Sequence, residues 1–143
     1  MSEAEDIAVQ MVAEPQHVLV YDHEQDQLAH EIMGNVASLL VESISLSNPS
    51  LDNLAVIDSS HDLSPWAEAI PDHVDVWSLA DLEEGRTVLD KHQCIVTFGP
   101  GILTHALVAP YTHATRFYAA VTRGVRTEQL VSLVHPLREA IQL

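Results

Sequence analysis

Basic residues are scarce in this sequence. Lysine occurs only once, at Lys91, and six basic residues stand against 21 acidic ones in a chain of 143 residues. The resulting formal charge of −15 repels phosphate backbones and anionic lipid headgroups, which argues against binding nucleic acid or a membrane surface through a broad basic face. Such acidity fits a protein from a high-salt cytoplasm and also an ordinary acidic protein, and both interpretations stay open.

Cysteine, aromatic residues and long apolar runs are also scarce. The single cysteine, Cys94, excludes an internal disulfide bond and lies in an apolar run that predicts a small buried side chain. The acidic first 14 residues lack the basic start of a signal peptide, and no apolar run approaches the roughly 20 residues that span a bilayer. We therefore expect a cytoplasmic protein with no direct membrane insertion.

Short apolar runs alternate with helical stretches along the chain. The predicted strands lie at about 17–22, 54–58, 74–79, 93–98 and 116–122. The predicted helices lie at about 26–45, 65–70, 81–91 and 104–109, with a last one beginning at Thr127 and including Ile141. Strands that alternate with helices predict an α/β fold, a three-layer sandwich around a mainly parallel sheet of about five strands.

The predicted helices differ in how clearly their buried faces can be seen. In the long helix, apolar residues recur at three- and four-residue steps and should share one face towards the sheet: Leu28, Ile32, Val36, Leu39 and Leu40. Residues 1–16 predict a flexible acidic segment with at most one helical turn. Residues 17–143 then form a single α/β domain, with Asp81 expected to cap the helix that follows it.

The segment 23–27, between the first strand and the long helix, has no glycine and no lysine. A phosphate-binding P-loop needs glycines, which let backbone N–H groups approach the phosphates, and a lysine that offsets their charge. Here the first glycine is Gly34, and the carboxylates of Glu24 and Asp26 would repel a triphosphate. The sequence therefore predicts no nucleotide at this segment and no bound cofactor.

Several short motifs follow one another in a recognisable order. An Asn-Val-Ala run begins at Asn35, the strand 54–58 ends in an acid, and the stretch 106–137 leads through a strand and an Arg-Gly pair to a leucine-spaced helix. Over about residues 17–140, this order resembles the ATPase domains of the ParA/MinD group, and in particular the cytoplasmic tyrosine-kinase domain of bacterial exopolysaccharide export systems. The chain departs from that family at its P-loop and at Thr97 and Phe98, which stand where a magnesium-linked acid is expected.

The resemblance implies a P-loop-NTPase-like fold without a functional P-loop and with no catalytic residues. Such a pseudo-ATPase, or pseudokinase, would regulate or scaffold by protein–protein contact in polysaccharide biosynthesis or export. Its implied partners are a homologous ATPase, a membrane-anchored polysaccharide export protein or a second copy of the chain. The family pairs through the face around its nucleotide loops, and the matching candidates for an interaction face are His23, Glu24, Asp26, Asp58, Gly99, Gly101, Arg123 and Arg126.

Other polar residues suggest further sites, each with a simpler interpretation. Asp22 and Asp58 end strands that are expected to be neighbours, and together they could hold Mg²⁺, although solvated or capping acids are the simpler interpretation. No two of the nine histidines lie at the spacing of a helical ligand pair, so no metal site is predicted. Arg123 and Arg126 either contact an anion or acidic partner or pair with nearby acids.

Two other functions fit an α/β domain of this size. One is a receiver-like signalling module, which would carry a phosphoacceptor Asp after its third strand and a Lys after its fifth, where Thr122 and Arg123 stand. The other is a small-molecule-binding domain with a cleft at the strand ends. Strand order separates the classes, because a receiver has the order 2-1-3-4-5, whereas the ATPase class has additional strands and a different crossover.

Overall fold

The computed structural model of the protein describes residues 2–14, 16–47, 54–59, 63–70, 74, 76–85, 89, 94–112, 114, 116–123 and 140–142, and at 44–47, 69, 104 and 140–142 it describes the backbone alone. The strands are β1 (Gln16–Tyr21), β2 (Leu54–Asp58), β3 (Val76–Ser78), β4 (Cys94–Phe98), β5 (Arg116–Thr122) and β6 (Ala140–Gln142). The helices are α1 (Glu3–Val12), α2 (Asp26–Ser47), α3 (Ser64–Ala69) and α4 (Leu79–Glu83). Short 3₁₀ helices occupy His23–Gln25, Ile102–Thr104 and Ala109–Tyr111.

The strands form one six-stranded sheet in the order β3-β2-β4-β5-β1-β6, and each neighbouring pair is parallel. The predicted α/β sandwich around a parallel sheet is confirmed, with β6 as an additional edge strand. Because β1 lies between β5 and β6, the order is not the 2-1-3-4-5 of a receiver. Two strands, β4 and β5, separate β1 from β2, so the expectation that Asp22 and Asp58 end neighbouring strands is wrong.

Each face of the sheet carries its own hydrophobic core, as strands buried on both sides require. Along β1, Leu19 and Tyr21 point to the layer of α1, α2 and α3, while Val18 and Val20 point to the opposite layer. That second core contains Leu82 of α4 together with residues of the chain between β4 and β5. The alternation gives three layers, in which α2 and α3 cover one face of the sheet and α4 packs on the other.

The direction of the crossovers explains this division. The chain moves one way across the sheet from β1 to β2 and from β2 to β3, and the other way from β3 to β4 and from β4 to β5. Parallel crossovers are almost always right-handed, so opposite directions put the connecting segments on opposite faces. The chain therefore leaves β2 on one face of the sheet and the adjacent β4 on the other, which makes the β2–β4 boundary a topological switch point.

The N-terminal segment is a regular helix, and the prediction of a flexible lead-in with at most one helical turn is wrong for Glu3–Val12. The Ser2 side chain accepts a hydrogen bond from the Glu5 backbone N–H, which caps the helix, and acids in the first turn suit its positive end. The residues Ala4, Ala8 and Met11 form a buried face in the core beside α2. Two alanines make this face too weakly apolar to stand out among the acids.

The long helix α2 has the predicted bounds to within two residues, but its buried face is turned from the expected one. Ile32, Val36 and Leu40 are buried, as predicted, whereas Leu39 is only partly buried at the edge of the core. The face extends instead through Ala29 and two other residues that the leucine pattern does not mark: Met33 and Ala37. Leu39 therefore lies at the margin of the buried face of α2 and not at its centre.

Three further elements differ from the prediction. Helix α4 begins at Leu79, because the Ser78 side chain accepts from the Asp81 backbone N–H while the Asp81 carboxylate accepts from that of Ser78. Ile102–Thr104 and Ala109–Tyr111 are 3₁₀ helices, with Pro110 in the second, where a helix over 104–109 is predicted. Residues 124–139, which hold most of the predicted last helix, lie outside the described residues, and Ile141 belongs to strand β6 instead.

Candidate functional site

The connection from β1 to α2 is short and makes its own hydrogen bonds. Four residues separate Tyr21 from Asp26, and three of them form the 3₁₀ helix His23–Gln25. The Gln25 backbone N–H donates to the Asp22 carbonyl at 2.8 Å, and the Asp22 backbone N–H donates to the Gln25 side-chain oxygen at 3.1 Å. These two amides are therefore occupied within the chain, and they are groups that a phosphate-binding loop would turn towards its ligand.

An exposed ion pair joins the ends of β1 and β5. The Arg123 guanidinium donates from Nε to the Asp22 carboxylate, and both side chains are about half exposed, at 45% and 49%. The Arg123 backbone N–H also donates to the Tyr21 carbonyl, which extends the β1–β5 pairing past its last register pair. An ion pair this exposed contributes on the order of 0–1 kcal/mol to stability, so a competing carboxylate could displace Asp22 at little cost.

The switch point between β2 and β4 is where open α/β sheets place their ligands, and here the protein itself occupies it. The Ser59 backbone N–H donates to the Phe98 carbonyl at 2.9 Å. Gly99 has a φ of +127°, and a Cβ atom added to it would lie 1.8 Å from Oγ of Ser59. The Ser59 side chain thus fills the space beside Gly99, which explains why only a glycine fits there.

A polar cluster is buried directly beneath this switch point. The Asp58 side chain at the end of β2 is 0% exposed, and its Oδ2 accepts from Nε1 of Trp66 on α3 at 2.7 Å. Nε2 of His30 on α2 lies 3.4 Å from the same oxygen. The imidazole stacks 3.8 Å, centroid to centroid, from the ring of Phe98, the last residue of β4. The cluster therefore ties α2 and α3 to the two central strands β2 and β4.

The second ring nitrogen of His30 faces another acid. Nδ1 lies 3.3 Å from the Asp26 carbonyl and 3.7 Å from the Asp26 carboxylate, one helical turn earlier. Burial of the imidazole lowers its pKa, but the hydrogen bond to Asp58 and the charges of Asp58 and Asp26 outweigh burial, so that the pKa of His30 lies above its ordinary value. The protonated ring can satisfy acids on both sides.

This cluster has the residue types of a general-base site but not the accessibility of one. A general base must come within hydrogen-bond reach of a proton on the substrate. Asp58 is inaccessible, and both His30 nitrogens already face groups of the chain. In this arrangement the histidine, the aspartate and the Trp66 indole hold elements of the fold together.

The predicted interaction face is only partly brought together. His23, Glu24 and Asp26 are exposed at the β1–α2 connection, and Arg123 is exposed beside them through its pair with Asp22. Two of the other predicted residues are buried: Asp58 and Gly99. Gly101 is half-buried with a left-handed φ of 66°, and Arg126 lies outside the described residues.

The sequence interpretation missed His30 and Trp66 as partners of Asp58. One signal for His30 was present, because Asp26 and His30 stand four residues apart on a helix and therefore share a face. The pairing with Asp58 spans 28 residues of sequence and had no local signal. Trp66 is buried, and its indole N–H donates to the Asp58 carboxylate, a contact that spans eight residues of sequence.

Within the residues that the structure describes, no three His, Cys, Asp or Glu side chains gather as a metal site would require. In that same part of the chain, none of the helices combines the length and the apolar character that crossing a bilayer demands. Cys94 is buried at 5% exposure, as predicted, and burial raises the pKa of its thiol.

No protein-family model matches the chain, and no curated protein matches it as a relative.

Proposed function

We propose that this protein is a non-catalytic α/β domain of the pseudo-ATPase type, which acts in the cytoplasm by protein–protein contact. The observation that carries the proposal is the closed, acidic connection between β1 and α2. A P-loop has eight residues of the pattern G-x-x-x-x-G-K-[ST] between strand and helix, whereas only four residues lie between Tyr21 and Asp26. The link to the ParA/MinD group and to polysaccharide export stays a prediction.

Electrostatics support the absence of a triphosphate. Asp22, Glu24 and Asp26 all lie at the start of α2, where a phosphate would need positive charge. The nearby Arg123 guanidinium is already paired with Asp22. A nucleotide would therefore have to displace one acid and approach two others before it reached a backbone amide.

The rival functions receive less support. The strand order differs from that of a receiver, and β3, which would carry the phosphoacceptor after its last residue, is followed by Leu79 at the start of α4. A small-molecule cleft at the β2–β4 switch point would need the space that Ser59 fills beside Gly99. The contact function is compatible with both findings, because it needs an exposed surface rather than a cleft.

The proposed contact face consists of the exposed residues His23, Glu24, Asp26 and Arg123, and we name it the carboxyl-edge face. Within this face, Arg123 pairs with the neighbouring Asp22. That exposed pair is weak enough to be replaced by a pair between Arg123 and a partner carboxylate. The partners proposed from the family resemblance are a homologous ATPase or a membrane-anchored export protein. A second copy of the chain is the candidate that can be tested with the purified protein.

Calorimetry with ATP and Mg²⁺ tests the non-catalytic part of the proposal. We expect no binding tighter than about millimolar, which corresponds to only ~4 kcal/mol. Micromolar affinity would refute a pseudo-ATPase. A titration with nucleotide-free buffer is the negative reference, and a known ATP-binding protein titrated under identical conditions is the positive one.

Sedimentation velocity over a range of protein concentrations tests the contact face. Arg123→Ala should weaken self-association, whereas Asp22→Asn should strengthen it, because it removes a carboxylate that competes with a partner carboxylate for the guanidinium. Both variants should melt within a few degrees of the wild type, since an exposed pair contributes only about 0–1 kcal/mol. Equal effects of the two variants on association would place the contact elsewhere.

A further inference from the structure

A surface groove lies between α1 and α2. Its volume is about 230 Å³, and it is lined by Glu5, Val9, Asn35, Ser38, Leu39 and Glu42. Pockets that enclose drug-sized ligands measure roughly 300–1,000 Å³, so this groove suits a side chain of a docked segment better than a free small molecule.

The groove is built from one helical stripe on α1 and one on α2, each beside the buried face of its helix. On α1, Glu5 and Val9 lie one turn apart, next to the buried stripe of Ala4 and Ala8. On α2, the lining residues stand at helical steps of three and four: Asn35, Ser38, Leu39 and Glu42. These residues of the two helices, which pack against each other, together line the groove.

The lining of the groove includes two apolar residues, Val9 and Leu39, here called its floor, and two acidic residues, Glu5 and Glu42, here called its rim. Val9 is 49% exposed, which makes it, with Leu107, one of two large hydrophobic residues exposed in the described part of the chain. Leu39 is partly buried and packs at the edge of the core. Glu5 and Glu42 are the charged residues of the lining, and α1 holds two more acids in its first turn and no basic residue in its last.

We propose that this groove docks a cationic amphipathic helix of a partner protein. One apolar side chain of that helix would lie on Val9 and Leu39, and flanking Lys or Arg side chains would pair with Glu5 and Glu42. This is the helix-in-groove mode of recognition, in which apolar anchors on one face of the ligand enter a hydrophobic channel. A second copy of the chain is the wrong occupant of this groove, because pairing with both Glu5 and Glu42 requires a segment with several basic residues, and the chain has only six basic residues against 21 acidic ones.

The groove is separate from the carboxyl-edge face. It is formed by α1 and the middle of α2, whereas that face lies at the start of α2 and the end of β5. The proposal therefore goes beyond the proposed function and does not depend on it. Loss of one binding activity would leave the other measurable.

The test uses the ¹⁵N-labelled chain of 143 residues and a synthetic peptide of about 14 residues, roughly four helical turns, with leucines on one face and lysines on the other. Chemical-shift changes in the wild type should concentrate at the six lining residues. A peptide with the same composition in scrambled order, which has no apolar face, should bind at least about tenfold more weakly. Shifts spread over the whole acidic surface would overturn the proposal.

Two pairs of substitutions separate the floor from the charges. Val9→Gln with Leu39→Gln, the floor pair, removes the apolar floor at unchanged charge. Glu5→Gln with Glu42→Gln, the rim pair, removes the acidic rim. Each should weaken peptide binding roughly tenfold. The control Glu68→Gln with Glu84→Gln makes the same change of charge at exposed sites outside the groove and should change the affinity less than about twofold.

Equal losses for the rim pair and the control pair would mean that only net charge attracts the peptide, which refutes the groove. Unchanged affinity in the floor pair would refute it as well. If the floor pair loses its dispersed spectrum, Val9→Gln alone replaces it, because a side chain 49% exposed can be exchanged without disturbing the core. That single variant should still weaken binding several-fold.

Discussion

Oδ2 of Asp58, at the end of β2, lies 3.4 Å from Nε2 of His30 on α2, although 28 residues separate them in the sequence. The aspartate is fully buried, and Nε1 of Trp66 on α3 donates to the same oxygen at 2.7 Å. A single carboxylate thereby connects a central strand with both helices that cover one face of the sheet. The pairing of Asp58 with His30 should contribute to the free energy of unfolding, and this contribution should change with pH.

The stability that His30 provides should decrease as the pH rises. The pKa of His30 is higher in the folded protein than its ordinary value of 6.5, because Asp58 and Asp26 outweigh the effect of burial. The contribution is therefore complete below about 6.5, the unfolded value, and is lost as the pH rises through the folded-state pKa. Urea unfolding of the wild type and His30→Gln from about pH 5.5 to about pH 9 measures it, and the difference in unfolding free energy should shrink with pH.

His23→Gln is the matched control for this experiment. It removes an exposed histidine from the 3₁₀ helix before α2 and leaves the buried cluster intact. Its difference from the wild type should stay small at all pH values. If the His30→Gln difference is constant, or grows with rising pH, protonation of His30 does not stabilise the fold.

Removing the Asp58 carboxylate should be costly. Asp58→Ala leaves the Trp66 indole N–H without its acceptor and His30 without its buried counter-charge, and breaking a buried pair by removing one partner costs about 3–5 kcal/mol. Asp58→Asn retains an oxygen that can accept from Trp66, so its loss should be smaller. Chemical denaturation measures both, with Asp26→Asn, a carboxylate 53% exposed, as the surface control at about 0–1 kcal/mol. Similar values for all three variants would mean that the cluster is not a structural one.

The bounds of β1, β2, β4 and β5 could be predicted closely because each is a short, largely apolar run, whereas β6 falls within a predicted helix. In β2, for example, Leu54 to Ile57 are four consecutive apolar residues, the single polar position is Asp58 at the end, and the observed bounds equal the predicted ones. Helix α1 was missed because its buried residues Ala4 and Ala8 are small and most of its other positions are acidic or exposed. Helical periodicity is a strong signal only where the buried side chains are large.

The buried cluster could not be predicted for a different reason. Whether His30 meets Asp58 depends on α2 passing over the strands that lie between β1 and β2, and the strand order is a property of the whole fold. The same holds for Gly99: the sequence marks a turn there, but the side chain that fills the space beside it, Ser59, belongs to another strand end. Local patterns specify elements, whereas contacts between strand ends follow from topology.

Helix α1 should contribute strongly to stability, which a flexible segment would not do. Met11→Ala empties a fully buried position between α1 and α2 and should cost about 2–5 kcal/mol, as other large-to-small core substitutions do. Val9→Ala, two residues earlier on the exposed side, should cost less than about 0.5 kcal/mol. Urea titration followed by circular dichroism gives both values. Little loss in Met11→Ala would show that α1 is not docked in solution.

Gly99→Ala should be far more disruptive than the same substitution at Gly85. The φ of +127° at Gly99 is unfavourable for any other residue, and the added Cβ would lie 1.8 Å from Oγ and 2.9 Å from Cβ of Ser59. We expect a loss above the 1–3 kcal/mol that is typical of backbone strain alone. Gly85→Ala is the control, since its φ is +71° but nothing lies within 4 Å of the added Cβ, so that only strain of roughly 1–2 kcal/mol applies.

A double-mutant cycle with Ser59→Gly shows whether Ser59 is the cause. Removing the Ser59 side chain takes away both of its atoms that the new methyl group would meet, so Gly99→Ala should cost less in the Ser59→Gly background. For residues in direct contact, the coupling energy is commonly about 0.5–3 kcal/mol. Denaturation of the four proteins provides the measurement. A coupling of zero would mean that Ser59 does not fill the crevice between β2 and β4, and the argument that this switch point is closed to a ligand would then fail, because it depends on that contact.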